Sequence, residues 1–199
     1  MDKINKIKKV LVVLCILLIF VLIGFILVIN FTRKAETDNS TGTNKENYVE
    51  HTSYDFELTI NTPKSWQAVE VKNSLNENAI LELHNEEKNA YLVIVVNKKE
   101  DINDDFTKYK TDVFTQKETY YKTTITAYYD VVIDGYNAQY GELYYTNADN
   151  INTYIRAYAF ETNTYYGQLV IWTLKSNENE VQEEFNKISE SLVEKKDVE

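Results

Sequence analysis

One cysteine, one proline, two histidines and five glycines in 199 residues exclude several kinds of protein at the outset. Cys15 is the only thiol, so no disulfide can hold the chain after it, and a domain there must close an apolar core of its own. His51 and His84 stand 33 positions apart with no later cysteine to join them, too few for a zinc site built on His. The glycines are scattered singly, which rules out a P-loop or a G-x-G-x-x-G turn. There is no G-x-S-x-G elbow, and no Cys beyond residue 15 to pair with a His as a nucleophile. Paired carboxylates for glycoside hydrolysis stay open, since acids are abundant, yet abundance designates no pair. The expectation is no catalytic, cofactor-binding or metal-ligating residue.

Charge is equally lopsided. The first thirty residues hold four Lys and one Asp, leaving 17 basic against 30 acidic side chains beyond them, a formal −13. Such a surface repels nucleic acid and anionic lipid.

What the chain does have is a run of twenty residues, Val10 to Ile29, with no charged or strongly polar side chain. At about 1.5 Å per residue a helix of that length spans roughly 30 Å, the hydrocarbon thickness of a bilayer. Lys3, Lys6, Lys8 and Lys9 precede it and only Arg33 and Lys34 come soon after it, so the positive-inside bias leaves the N-terminus in the cytoplasm and exports the chain beyond Asn30. The run is longer than a signal-peptide core and lacks a small-x-small exit, because Arg33 stands two places before Ala35. It is therefore expected to stay as an anchor. Leu14 before Cys15 argues against a lipobox, and Cys15 reads as an apolar residue.

Residues 30–52 mix Asn, Thr, Glu and Lys with almost no large apolar side chain and read as a flexible linker, His51 included. Beyond it, Tyr54 to Ile60 alternates as a half-buried strand and Pro63 stops it, with Trp66 expected to plug one end of the core. Residues 79–84 and 90–97 read as strands joined by the turn NEEKN, the second apolar on both faces and hence central. The period changes over 101–116, where Ile102, Phe106, Tyr109, Val113 and Phe114 form one helical stripe with Asn103 as the expected N-cap. Four long strands come next, at 121–133, 136–145, 152–160 and 165–172, with Asp134-Gly135 marking a tight hairpin and Trp172, on the last, expected in the core. A closing helix over 177–193 carries Val181, Phe185, Ile188 and Leu192 on one stripe. The fold class is α+β: a largely antiparallel sheet of six to eight strands with one inserted and one C-terminal helix packed on it.

Two features admit a functional reading beside a structural one. Asp101, Asn103, Asp105 and Asp112 fall at positions 1, 3, 5 and 12 of a calcium-loop pattern, but Phe106 stands where that loop needs Gly, and the same acids suit a capped helix start. The adjacent tyrosines 128 and 129, 144 and 145, and 165 and 166 are core if helices cover both sheet faces. If only one face is covered, a flat aromatic face ringed by acids is the expected binding surface.

The order of elements, with I-x-x-P-x-x-W at Ile60 to Trp66 and F-x-x-I-x-x-S at Phe185, Ile188 and Ser191, resembles PsbP-like domains over roughly residues 53–194. The resemblance implies an α-β-α sandwich and extracytoplasmic placement, and a binding or assembly role without catalysis. Usage rich in Asn, Lys, Ile and Tyr suggests an AT-rich Gram-positive bacterium, where no photosynthetic role is expected. The expected organisation is a cytoplasmic tail at 1–9, a transmembrane anchor at 10–29, a linker at 30–52 and an extracellular domain at 53–194. The expected function is a membrane-anchored binding or assembly module that meets the lipid bilayer through its N-terminal helix and a protein or cell-wall partner through its domain, but not nucleic acid. The competing reading is a cell-wall carbohydrate-active enzyme using paired carboxylates.

Overall fold

The computed structural model describes residues 48–53, 55–70 and 74–195. The tail, the anchor and most of the linker expected from the sequence lie outside these. Among the described residues no helix is long and apolar enough to cross a membrane.

Polar as it is, the end of the expected linker is not a tether. Tyr48–Ser53 is strand β1, paired antiparallel with β2 (Leu58–Pro63), and its middle residue His51 lies opposite Ile60. The expected strand at 54–60 thus divides: residues 55–57 make the turn of this hairpin, with Glu57 at φ 53°, and the ladder runs on to Pro63. A two-residue strand near the C-terminus, Val193–Glu194 (β10), adds to the other edge of β2 and completes a three-stranded sheet.

The main sheet is built from β3 (Gln67–Ala68), β4 (Leu81–Asn85), β5 (Ala90–Lys98), β6 (Ala127–Ile133), β7 (Tyr136–Thr146), β8 (Asn152–Glu161) and β9 (Tyr165–Leu174). Its order is β3-β4-β5-β9-β8-β7-β6, and every pairing is antiparallel. Chain neighbours pair except where β5 meets β9, the junction left by the inserted helix. Asp134 and Gly135, at φ 53° and 81°, supply the two left-handed residues that the β6–β7 hairpin requires. At Gly167 the Phe160 ring of the facing strand lies so close that an added Cβ would meet it at 2.2 Å, so only glycine fits.

Helix α1 (Phe106–Tyr121) both starts and ends later than the sequence suggested. Its N-cap is Asp105, whose side chain accepts from the Lys108 N–H at 2.9 Å, rather than Asn103, because a 3-10 turn at Lys99–Asp101 takes up the preceding residues. Its end absorbs Tyr120 and Tyr121, and Lys122 closes it in the left-handed conformation at φ 52°. Helix α2 (Glu178–Glu190) leads into β10.

Alternation along the strands assigns the two helices to opposite faces. Tyr109, Val113 and Phe114 of α1 pack with Leu143, Ile155, Ala159 and Val170. Val181, Phe185 and Ile188 of α2 pack with the residues between these, among them Leu92, Ile94, Tyr154, Tyr158, Leu169 and Ile171, and with Leu58 and Ile60 of the small sheet. The two spaced motifs, some 120 positions apart, meet on this face. The Trp66 ring, 2% exposed, stands edge-on to Phe185 at 6.4 Å, and the Ser191 hydroxyl accepts from the Asn61 N–H at 2.9 Å. The Trp66 indole N–H donates to Glu184 at 2.8 Å, and Lys88 pairs with the same carboxylate. Trp66 does plug the core, as its position after Pro63 implied.

Candidate functional site

On the other face, cover is incomplete. Helix α1 lies mainly over β8, with β7 and β9 beside it. The same face of β4 and β5 is left to the loop 74–78. That loop is tied down by a buried acid: the Glu82 carboxylate accepts from the Ser74 hydroxyl at 2.7 Å, the Leu75 N–H at 2.8 Å and the Asn76 N–H at 2.9 Å. Between this loop and the last turn of α1 runs a groove.

Its floor is one row across the sheet. Register places Gln67, His84, Tyr91, Trp172, Ile155 and Leu143 side by side on β3, β4, β5, β9, β8 and β7. Tyr91 and Trp172, both half-buried, are stacked with centroids 5.3 Å apart and planes 15° from parallel. Three adjoining clefts track the row. The middle one, of about 740 Å³, is lined by Leu75, Lys117, Tyr120, Tyr121 and Trp172. Its neighbours, of about 510 and 540 Å³, share Tyr120, Tyr121 and Trp172 on one side and Leu75 on the other. Burial pushes the Tyr121 phenol up to about 12, with Tyr120 and Tyr145 adding to the shift, so it is a hydrogen-bond donor at neutral pH. Burial also pulls the Lys117 ammonium below its usual range. Lys117, Tyr120 and Tyr121 share one face of the helix through their i, i+3, i+4 spacing.

The residues weighed from the sequence are dispersed. Asp105 caps α1, while Asp104 and Asp112 both pair with Lys108, at 3.2 and 2.7 Å; Asp101 stays exposed in the 3-10 turn. Among the described residues no three His, Cys, Asp or Glu side chains converge on a metal position. His51 makes a 2.9 Å hydrogen bond to the Thr62 hydroxyl within the small sheet, and His84 lies in the groove row, 6.4 Å from the Tyr91 ring. The tyrosines split. Tyr154, Tyr158, Tyr109 and Tyr165 are core, whereas Tyr120, Tyr128 and Tyr129 are 77%, 50% and 43% exposed. Trp172, expected in the core, is half-buried and part of the groove floor.

Sequence reading passed over Arg156. It is 2% exposed on the α2 face, where it meets the Glu142 carboxylate at 3.2 Å, the Tyr154 hydroxyl at 2.6 Å and the Asn186 side chain at 2.6 Å, with its guanidinium 4.9 Å from the Tyr140 ring centre. Burial and the hydrogen bond to Glu142 hold the Tyr154 phenol protonated, well above its usual range. A lone Arg between apolar runs was the signal available. With every direction filled, this is a structural joint between sheet and α2.

Comparison with known proteins gives fold without close kinship. No protein-family model matches the chain, and no curated protein matches it significantly. Among solved structures 27 chains match. The solution structure of cyanobacterial PsbP from Synechocystis superposes with a TM-score of 0.57 at 11% identity, covering 78% of this chain and 99% of that one. The fold is PsbP-like. LpqN of Mycobacterium tuberculosis, involved in cell envelope biogenesis, gives 0.50 at 11% identity over 75% of this chain and 91% of its own. The Ran-binding protein Mog1p of Saccharomyces cerevisiae gives 0.50 at 10% identity over 74% and 95%. Both motifs that carried the resemblance serve the closed face of the PsbP-like fold, opposite the groove.

Proposed function

We propose that this chain is a membrane-anchored, extracytoplasmic binding module of a Gram-positive bacterium, without catalytic activity, and that it takes its ligand in the groove floored by Tyr91 and Trp172. The carrying observation is that stacked, half-exposed pair, set between a loop and a helix end. Two large rings left in contact with water on an otherwise packed sheet are what an aromatic recognition site needs. The sheet's inward acids support a non-catalytic reading: Glu82 is taken up by the loop 74–76 and Glu142 by Tyr154 and Arg156, and they face opposite sides of the sheet. That LpqN acts in envelope biogenesis and Mog1p binds Ran fits a fold used for recognition. The twenty-residue apolar run with its N-terminal lysines supports anchoring in the bilayer with the domain outside.

Protease shaving of intact cells is expected to remove the domain and leave a membrane-bound stub. Chain extracted from those membranes should be retained on purified cell wall, and Trp172→Ala should release it. A soluble form beginning near residue 30 overturns the anchor. Retention indifferent to Trp172→Ala overturns the site.

A further inference from the structure

The groove carries two chemistries at once. Its floor is a stacked pair of rings, which cover each other's inner faces and turn their edges and outer faces to the cleft, apolar surface against which the C–H face of a pyranose ring can pack. Its helical wall carries cations. Among the described residues seven lysines form salt bridges, whereas Lys64, Lys110, Lys117 and Lys122 form none, and the last two both line the groove. In a region of formal charge −13 two unpaired ammonium groups beside an open aromatic floor are unusual, and one of them, Lys117, is half-buried at a desolvation cost visible in its lowered pKa. An anion entering the groove would remove that cost. Tyr120 and Tyr121 of the same wall and Tyr145 of β7 line the adjoining cleft and bring phenols that can donate and accept.

Each part narrows the ligand. Nucleic acid is excluded by the field of the surrounding acids, since two lysines cannot offset it. The only Arg among the described residues, Arg156, is buried on the other face, so the groove has no forked donor and meets an anion through ammonium groups alone. One half-buried ammonium balances the single charge of a carboxylate and falls short of the roughly −1.5 to −2 of a phosphate monoester at neutral pH. Resting on the reading of the groove as the ligand site, we propose that it binds an oligosaccharide carrying a carboxylate, one sugar ring packed against the exposed side of Trp172 and the carboxylate held by Lys117.

Two disaccharides that differ chiefly by a lactyl carboxylate test this: N-acetylglucosaminyl-N-acetylmuramic acid and di-N-acetylchitobiose. The full chain is kept in a sugar-free zwitterionic detergent and titrated by tryptophan emission, which reports Trp172 because Trp66 is enclosed on the other face. Both sugars are expected to perturb the emission, the acidic one binding about tenfold more tightly, the scale of one hydrogen bond to a charged group. Lys117→Met, which keeps the stem and drops the charge, should abolish the preference and leave the neutral sugar's affinity in place. Tyr120→Ala, at a position 77% exposed and so without consequence for folding, should weaken both. Equal affinity for the two sugars, or a preference that survives Lys117→Met, overturns the carboxylate assignment and leaves the groove as a sugar site. If neither sugar binds while wall retention still depends on Trp172, the glycan class is overturned and the groove stands. Retention independent of Trp172 overturns the groove itself.

Discussion

On the α2 side of the main sheet, Leu58, Ile60, Leu92, Ile94, Phe160 and Phe185 are at most 1% exposed, because a helix, a second sheet and the Trp66 turn all close over them. On the α1 side a single helix lies over the middle of the sheet, and Tyr91, His84 and Trp172 stay half-exposed beside it. The same strands supply both surfaces, with side chains alternating between them, so the difference comes from what covers each face and not from the strands. One face spends its large residues on closure. The other leaves them available to a ligand, and changes on the two faces should therefore separate stability from binding.

The largest effect is expected at Trp66. Truncating a fully enclosed indole to Ala typically costs about 3 to 5 kcal/mol, a large share of the roughly 5 to 15 kcal/mol that a domain has. Trp66→Ala should melt far below the parent or fail to accumulate. A parent-like melting temperature would mean that the α2 face is not the closed one.

Next comes the buried pair. Glu142→Ala leaves Arg156 without its counter-charge at 2% exposure and should lower stability by about 3 kcal/mol in denaturant titrations. The double change Glu142→Leu with Arg156→Met should recover most of that loss. If the double variant is no better than the single, the cost lies in packing of the site and not in a stranded charge.

How far the sequence foretold this division depends on the range of the signal. Period-two and helical patterns located β4, β5, β7, β8, β9 and the stripes of both helices, because each is written within a dozen residues. Strand β1 was missed since YVEHTS is polar, and only Ser53 is buried there. The start of α1 was misplaced because the run of acids from Asp101 to Asp105 offers several caps, and its end because Lys122 adopts the left-handed conformation usually signalled by Gly. The groove was not legible at all. It exists because β5 pairs with β9 so that Tyr91 lies opposite Trp172, and that register joins residues 81 positions apart. Local pattern carries no such information, and Trp172 read as core for that reason.

A smaller effect should come from His51. Burial disfavours its imidazolium and lowers its folded pKa below 6.5, so the stability it contributes is present above pH 6.5 and is lost as the pH falls through the lowered folded value. Denaturant midpoints should therefore drop more steeply below pH 6.5 in the parent than in His51→Gln. Parallel profiles would place β1 in solvent rather than against β2.

The contrast between the faces is tested most directly by acrylamide quenching of the two indoles, measured well below the melting transition of each variant. In Trp66→Phe the emission comes from Trp172, in the groove; in Trp172→Phe it comes from Trp66, 2% exposed beneath α2. Trp172 is expected to be quenched several-fold more readily than Trp66. Equal shielding of the two, or the reverse order, would contradict a molecule closed on its α2 face and open on its α1 face.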